Sequence, residues 1–225
     1  MDRLPFAPYD FFGYLASGFA LVAGLQLAFG FPDVFGRQLT AAETMFLLLA
    51  VYVIGQVLAT PAKAILEDLI IRHVLGSPSV NLFREKRPLV RGTIFPGFYT
   101  PLPLAVRGGV LDRAKAEGEH HIGEDLFVHV RFSPEIRGDE KIATRLSSFL
   151  NQYGFSRNLC FTTLIVGTLL LVRSNFVGST QMRWYGISSL ALSAALFYRY
   201  LKFFRQYSYE MFNCYRPKQP QGRIL

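Results

Sequence analysis

Two long apolar runs decide the fold class: FFGYLASGFALVAGLQLAFGF at Phe11–Phe31 and TMFLLLAVYVIGQVLATPA at Thr44–Ala62. The first holds 21 residues and the second 19, and neither contains a charged side chain. A helix needs about 20 apolar residues to cross a hydrocarbon core of about 30 Å. A helix buried in a globular core is the alternative, but two such runs in a chain of 225 residues favour membrane spans.

Two shorter apolar runs in the second half predict two further spans. Asn158–Val172 and Trp184–Tyr198 each hold 15 uncharged residues and are flanked by arginines at both ends. Because an arginine stem can lie along apolar surface while its head reaches the interface, these arginines extend the usable span. A re-entrant pair is the alternative. We therefore predict an all-α membrane protein with four transmembrane helices, cytoplasmic helical extensions and a small irregular cytoplasmic segment.

The distribution of Lys and Arg predicts the orientation. Lys63–Arg157 holds fourteen of them and the chain after Tyr198 holds six, whereas the loop Pro32–Glu43 holds only Arg37. Basic flanks stay cytoplasmic, so we expect a multi-pass inner-membrane protein with both termini inside, and a first run that is not a cleaved signal. The net charge of +8 fits this bias and attraction to anionic lipid. Nucleic acid is not an expected partner, because no recognition motif is present.

The expected organisation is a first helix pair at 1–62, a cytoplasmic segment at 63–154, a second pair at 155–200 and an amphipathic tail at 201–225. The second span should bend at Pro61 and continue as an amphipathic helix. Its apolar side would hold Leu66, Leu69, Ile70 and Val74, and its polar side Glu67, Asp68 and Arg72.

Two other amphipathic segments are predicted from helical periodicity. Asp139–Tyr153 leads into the third span, and the chain after Tyr198 continues the fourth. Their apolar faces comprise Ile142, Leu146, Phe149, Leu150 and Tyr153 in the first, and Leu201, Phe204, Met211, Phe212 and Tyr215 in the second.

Residues 77–138 are predicted to be irregular. Within them, GTIFPGFYTPLPLAV at Gly92–Val106 is uncharged but carries three prolines, which argue against a helix. This stretch either packs as a buried loop, dips into the lipid headgroups or lines a ligand pocket. Leu126–Phe132, LFVHVRF, is predicted to be a short strand.

A cluster of His and acidic residues is the only hint of chemistry. His120, His121 and His129 stand among four carboxylates in EGEHHIGEDLFVHV, and such ligands suit a transition metal. The spacing matches no established metal motif, and a solvated acidic loop is the alternative. No catalytic motif is present and Cys160 lies in apolar sequence, so we expect neither an enzyme nor a cofactor.

Small residues at helical spacing predict close helix packing, within the chain or between subunits of a homo-oligomer. They are Ala20, Gly24 and Ala28 in the first span, Thr163 and Gly167 in the third, and Ser189, Ser193, Ala191 and Ala195 in the fourth.

Other polar side chains stand out against the apolar runs. Gln26 and Gln56 place amides at membrane depth, where they would bond between helices or line a conduit. Arg199, Lys202 and Arg205 recur every three residues and would anchor the tail at an anionic lipid surface.

Three short stretches carry a resemblance: YDFFGYL at Tyr9–Leu15, FSRN at Phe155–Asn158 and RYLKFFRQYSYE at Arg199–Glu210. Together they resemble small polytopic membrane proteins of bacteria, some of them associated with anti-phage defence gene clusters. The resemblance covers the spans and their borders, and it implies a defence-associated membrane effector or sensor.

Three function hypotheses follow. The first is a non-enzymatic, self-associating membrane protein whose cytoplasmic region binds a partner or signal and whose bundle alters membrane permeability. The second is a membrane anchor or scaffold for a soluble effector. The third, a metal-dependent membrane enzyme, depends on the histidine cluster alone.

Overall fold

A computed structural model describes residues 8–31, 36, 38–86 and 88–217, without the side chains of residues 8–10. Arg37, which enters the orientation prediction, and residues 218–225 of the predicted tail lie outside the described residues. The described chain is helical and contains no strand. Its elements are α1 (Pro8–Phe29), α2 (Ala41–Ala62), a π-helix (Lys63–Leu75), α3 (Pro78–Asn81), α4 (Leu89–Ile94), α5 (Leu104–Ala116), α6 (Glu124–Arg131), α7 (Pro134–Gly138), α8 (Glu140–Val177) and α9 (Thr180–Tyr215).

Three helical stretches are long and apolar enough to cross a membrane: Phe11–Phe29, Ala41–Asn81 and Glu140–Val177. They contain the second and third predicted runs and all but the last two residues of the first. The fourth run lies in α9, where its 15 apolar residues are bounded by Arg183 and Arg199. A fourth span therefore stays a prediction.

The chain divides into two compact units. Unit 1 comprises residues 1–74 and 151–200, and unit 2 comprises residues 75–150 and 201–225. The long helices α8 and α9 each contribute residues to both units.

The second membrane-length helix changes type after Pro61. From Lys63 it is a π-helix, whose i→i+5 hydrogen bonds hold more residues per turn than an α-helix. Ala62, Leu66 and Ile71 are buried, at steps of four and then five residues.

The predicted apolar stripe along this segment is wrong in part. Leu69 and Val74 are exposed, whereas Glu67, expected on the polar side, is buried. The prediction assumed the 3.6-residue period of an α-helix, and the wider π-turn rotates a different set of side chains inward.

In unit 1, α1 and α2 approach so closely that only glycine fits at two positions. A Cβ added at Gly18 would lie 2.0 Å from the Val51 carbonyl oxygen, and one at Gly55 would lie 1.9 Å from that of Tyr14. The packing of this helix pair therefore depends on two positions that have no side chain.

The start of α2 is fixed by a capping box, in which Thr40 N donates to Glu43 Oε2 at 2.9 Å and Glu43 N donates to the Thr40 hydroxyl at 3.3 Å.

The unit 1 portions of α8 and α9 pack in the same way. Added Cβ atoms at Gly167 and Gly186 would each come within 2.8 Å of a leucine side chain on the facing helix. The Ser189 hydroxyl donates to the Thr163 carbonyl at 2.8 Å, and the Ser193 hydroxyl donates to the Cys160 carbonyl at 2.9 Å. These bonds satisfy the hydroxyls inside the helix pair.

Unit 2 has a core of large side chains. Both predicted amphipathic segments contribute to it: Leu146 with Ile142, Phe149 and Leu150 from the start of α8, and Met211, Phe212 and Tyr215 from the end of α9. The other members include Leu82, Phe83, Leu102, Val106, Val110, Leu126, Val130, Ile136 and Tyr207. The segment 77–138, expected to be irregular, supplies most of these residues from short helices, so that prediction is wrong.

The strand predicted at Leu126–Phe132 is also wrong, because α6 covers Glu124–Arg131. Leu126 and Val130 are buried while Val128 is exposed. The alternating letters LFVHVRF satisfy an i, i+4 helical face as well as a strand, and packing against the helical core selects the helix.

The proline-rich stretch Gly92–Val106 is helical at both ends, contrary to prediction. α4 ends at Ile94 and α5 begins at Leu104, directly after Pro103 at the N-cap. Its prolines lie between the two helices or at the helix start, where a missing amide hydrogen is tolerated.

Candidate functional site

A buried ion pair is the most unusual polar feature of unit 1. Arg157 Nη1 on α8 donates to Glu67 Oε2 on the π-helix at 2.8 Å. The two side chains are only 13% and 11% exposed. Arg157 Nε also donates to Asn158 Oδ1 at 3.3 Å, so the guanidinium has a second acceptor. The π-helix makes this pairing available, because it turns Glu67 inward.

Two stacked tyrosine rings lie on the arginine side of the pair. The Tyr153 and Tyr200 rings stack with centroids 5.9 Å apart, and Tyr200 is fully buried. The Arg157 guanidinium carbon lies 5.8 Å from the Tyr153 ring centroid, within cation–π range. The guanidinium therefore lies beside a stacked pair of tyrosine rings.

Such a pair is costly to form, because both ions lose their hydration. The attraction between the two charges offsets this loss only when their hydrogen-bond geometry is good. Glu67 follows the apolar run Thr44–Ala62 and Arg157 precedes the run Asn158–Val172, so the pair joins the ends of two predicted spans. Sequence reasoning placed Glu67 on the wrong face and treated Arg157 only as a span boundary. The sequence signal for this ion pair was the position of Glu67 and Arg157, an acid and a base that each lie next to a long apolar run.

Unit 2 contains a second polar network, centred on Glu117 at the end of α5. Its carboxylate accepts from Tyr215 Oη at 2.7 Å and from Arg113 Nε at 2.8 Å, and His129 Nε2 lies 2.8 Å away. The Tyr215 hydroxyl, followed by Arg113 and His129, lowers the pKa of Glu117 to about 2 against the opposing effect of burial. Glu117 is therefore a carboxylate throughout the physiological range.

Arg113 connects this network to a neighbouring cleft. It donates to Glu135 Oε1 at 2.5 Å and to the Tyr215 carbonyl at 2.9 Å, and its guanidinium carbon lies 4.4 Å from the Tyr215 ring centroid. The cleft has a volume of about 410 Å³ and is lined by Arg113, Pro134, Glu135, Gly138, Asp139, Ile142, Cys214 and Arg216. Its walls carry both signs of charge beside apolar surface, which suits a peptide or a small polar ligand.

The Cys214 thiol in this cleft is held in its protonated form at neutral pH. Burial, followed by the neighbouring Glu210, raises the pKa of Cys214 to about 11. Cys214 Sγ donates to Glu210 Oε1 at 3.6 Å, and the same oxygen accepts from Arg145 Nη2 at 2.5 Å. Since the thiolate is the reactive form, these surroundings lower the reactivity of the Cys214 thiol.

The three histidines predicted as metal ligands are not brought together. His120 and His121 are exposed, with His121 Nδ1 3.4 Å from Glu119 Oε1, whereas His129 is directed at Glu117. Among residues 8–31, 36, 38–86 and 88–217, no group of three or more His, Cys, Asp or Glu side chains is placed to hold a metal ion. The described structure therefore does not assemble the three histidines into one metal site.

The small residues of α1 face another helix of the same chain. A Cβ added at Gly24 would lie 2.5 Å from two methyl groups of Val166, and Ala28 is buried in a cluster with Val166 and Leu170. Ala20 is half-buried. Thr163, Gly167, Ser189 and Ser193 lie between α8 and α9, as described above.

The remaining predicted side chains have varied surroundings. Gln26 is half-buried, and Gln56 is exposed and donates to Tyr52 Oη at 3.0 Å. Arg199 and Lys202 are exposed, whereas Arg205 Nη2 donates to the Thr100 carbonyl at 2.8 Å. Arg205 thus has a structural role that its periodicity did not indicate.

Comparison with known proteins adds no further assignment. The chain matches no family model, no curated protein and no solved structure. The function must therefore be argued from the two sites and from the packing around them.

Proposed function

We propose that this protein is a non-enzymatic, multi-pass membrane anchor that holds a soluble partner at the cytoplasmic face of the inner membrane. In this proposal α9 supplies a fourth span, and both termini and unit 2 are cytoplasmic. One observation carries the proposal: the small residues available for joining subunits are used inside the chain, as Gly24 against Val166 and Ser189 against Thr163 illustrate. When the small residues of a helix bundle already contact helices of the same chain, no second subunit is needed to pack against them.

Unit 2 supports partner binding. Its core of Leu, Phe and Tyr side chains is drawn from residues of unit 2, and its cleft of about 410 Å³ offers Arg216 and Asp139 beside Ile142. Mixed charge around an apolar floor favours recognition of a polypeptide segment.

Oligomeric state and ion flux together test the proposal. An anchor should be monomeric in mild detergent by size exclusion with light scattering, and should leave liposomes as tight as empty ones. A stable oligomer that conducts ions would overturn it.

The orientation has its own test, in a variant in which Cys160 and Cys214 are replaced by alanine. Cysteine at Thr180, an exposed residue at the start of α9, should react with an impermeant thiol reagent added to intact cells. Cysteine at Lys141, an exposed residue of α8 in unit 2, should react only after the cells are opened. The reverse pattern would place unit 2 outside.

A self-associating protein that alters membrane permeability is the second candidate, and the buried Glu67–Arg157 pair favours it. A charge pair in a membrane-length helix can hold a conduit closed until its ions separate. Glu67→Gln should then make liposomes leaky, with Asp68→Asn as the half-buried neighbouring control. The defence role implied by the resemblance belongs with this candidate. It predicts that expression protects cells from phage in a plaque assay and that Glu67→Gln alters that protection.

A further inference from the structure

The two most exposed large apolar side chains in the described residues lie outside the candidate spans. Leu89, at the start of α4, is 90% exposed and Leu104, at the start of α5, is 84% exposed. Val90 and Ile94 of α4 are 73% and 60% exposed. Leu89 and Leu104 are more exposed than Phe46 on the membrane-length helix, which is 74% exposed, and Val90 nearly equals it. We call these four residues the α4 patch.

The exposure of the α4 patch is imposed by ordered structure. Gly92 N donates to the Pro88 carbonyl at 2.8 Å, which closes α4, and Leu102 N donates to the Leu82 carbonyl at 2.9 Å. Between the helices, Phe98 and Tyr99 are buried. The backbone is therefore held by hydrogen bonds and buried neighbours while the four apolar side chains point away from them.

The sequence around the patch is basic. From Arg84 to Arg107 it contains five Lys and Arg against the single acid Glu85. Glu85 Oε1 lies 3.5 Å from Arg107 Nη2, and Lys86 is exposed. Apolar side chains flanked by bases are typical of segments that lie in the interface of an anionic bilayer.

We propose that the α4 patch inserts into the headgroup region of a bilayer containing anionic lipid. A second copy of the chain is a poorer occupant, because a stable protein interface needs roughly 20 residues on each side and the patch offers four side chains. Shallow insertion into lipid requires only a few apolar residues and gains from nearby bases. The inference is independent of whether the protein is an anchor or a conduit.

Tryptophan fluorescence in reconstituted vesicles tests the proposal. In a Trp184→Phe background, which removes the single native tryptophan, Leu89→Trp is compared with Val128→Trp, an exposed apolar position of α6 in the same unit. Phe46→Trp serves as a reference in the membrane-length helix. The full chain is placed in phosphatidylcholine–phosphatidylglycerol vesicles with and without brominated lipid.

We expect Leu89→Trp to emit at shorter wavelength than Val128→Trp and to be quenched by brominated lipid, as Phe46→Trp is. Replacing phosphatidylglycerol with phosphatidylcholine should reduce the quenching at Leu89. Equal quenching at Leu89 and Val128 would overturn the proposal. A short-wavelength emission without bromine quenching would overturn it too, since protein and not lipid would then cover the patch. Quenching unchanged by the lipid charge would contradict the anionic part. Circular dichroism checks that each variant keeps its helical content.

Discussion

The two units are held together by opposite kinds of side chain. In unit 1, Gly18 and Gly55 bring helix backbones into contact, and small hydroxyl side chains bond across α8 and α9. In unit 2, large rings fill the centre, with Phe83 and Phe212 packed edge to face at a centroid distance of 5.0 Å. The difference is the one expected if unit 1 lies in lipid and unit 2 in water, as we propose. Between lipid-facing helices there is no hydrophobic driving force and close approach must supply the attraction, whereas in water burial of large apolar surface is favourable.

The helix α8 shows the change within one element. Its residues in unit 2 include Leu146 and Phe149, which join the aromatic core, and its residues in unit 1 include Thr163, whose carbonyl accepts from Ser189 of α9, and Gly167, which faces Leu190 of α9. The packing residues of α8 therefore change from large to small along one continuous helix, between its unit 2 part and its unit 1 part.

The sharpest test of the comparison is Phe212→Ala. Removing a fully buried ring should cost about 3–5 kcal/mol, because a cavity remains in the core. Amide hydrogen exchange followed by mass spectrometry should show faster exchange in peptides of unit 2. Phe132→Ala, at a ring that is 55% exposed beside Arg137, should cost about 1 kcal/mol or less. Equal effects of the two variants would mean that unit 2 has no aromatic core of the kind described.

Breaking the charge pair tests whether unit 1 depends on packing alone. Glu67→Gln leaves Arg157 buried without its counter-ion and should cost about 3 kcal/mol in a denaturant titration of the detergent-solubilised protein. The double replacement Glu67→Met with Arg157→Met should recover most of that loss, because no uncompensated charge remains. If the double variant is as unstable as Glu67→Gln, the cost lies in lost packing and not in an unpaired ion.

The glycine contacts should be sensitive to one methyl group. Gly18→Ala forces the α1 and α2 backbones apart and should cost about 1–3 kcal/mol. Gly154→Ala is the matched control within α8, where an added Cβ meets nothing within 4 Å. It should be neutral or stabilise by about 0.5–1 kcal/mol, since alanine favours a helix. Equal stability of both variants would show that backbone proximity does not hold unit 1 together.

Acid should weaken unit 2 through Glu117, with the smallest effect. Its pKa is lowered to about 2 in the folded chain against about 4.3 unfolded, so the stabilisation is present above pH 4.3 and is lost as pH falls toward 2. Hydrogen exchange in α5 and at the end of α9 should quicken over that window. Glu117→Gln should flatten this dependence; an unchanged profile in the variant would assign it to another carboxylate.

The sequence predicts the helical class and the membrane-length runs because both depend on local composition. Phe11–Phe31 is apolar whatever lies around it, and the face of Leu146 and Phe149 follows from α-helical period alone. The same period misassigned Glu67, because a π-helix is selected by tertiary packing and has no simple sequence signature.

The candidate sites were harder to predict than the fold. The stripe of Ala20, Gly24 and Ala28 was apparent as a pattern, but the closest contacts occur at Gly18 and Gly55, which differ from other glycines only in what faces them. Likewise His129 and Glu117 stand twelve residues apart, and only the return of α9 with Tyr215 explains their pairing. Long-range contacts of this kind are not encoded in local spacing.

The π-helix has a consequence for how the gene can change length. In an α-helix, one inserted or deleted codon rotates everything beyond it by about 100°, which would turn buried faces outward. A π-turn encloses one residue more than an α-turn. If a residue is deleted from Lys63–Leu75, one π-turn can become an α-turn with i→i+4 hydrogen bonds, and the flanking segments keep the same buried faces. We therefore expect single-codon length differences among related genes to concentrate in this segment, and to be rare within α1 or the part of α2 before Pro61.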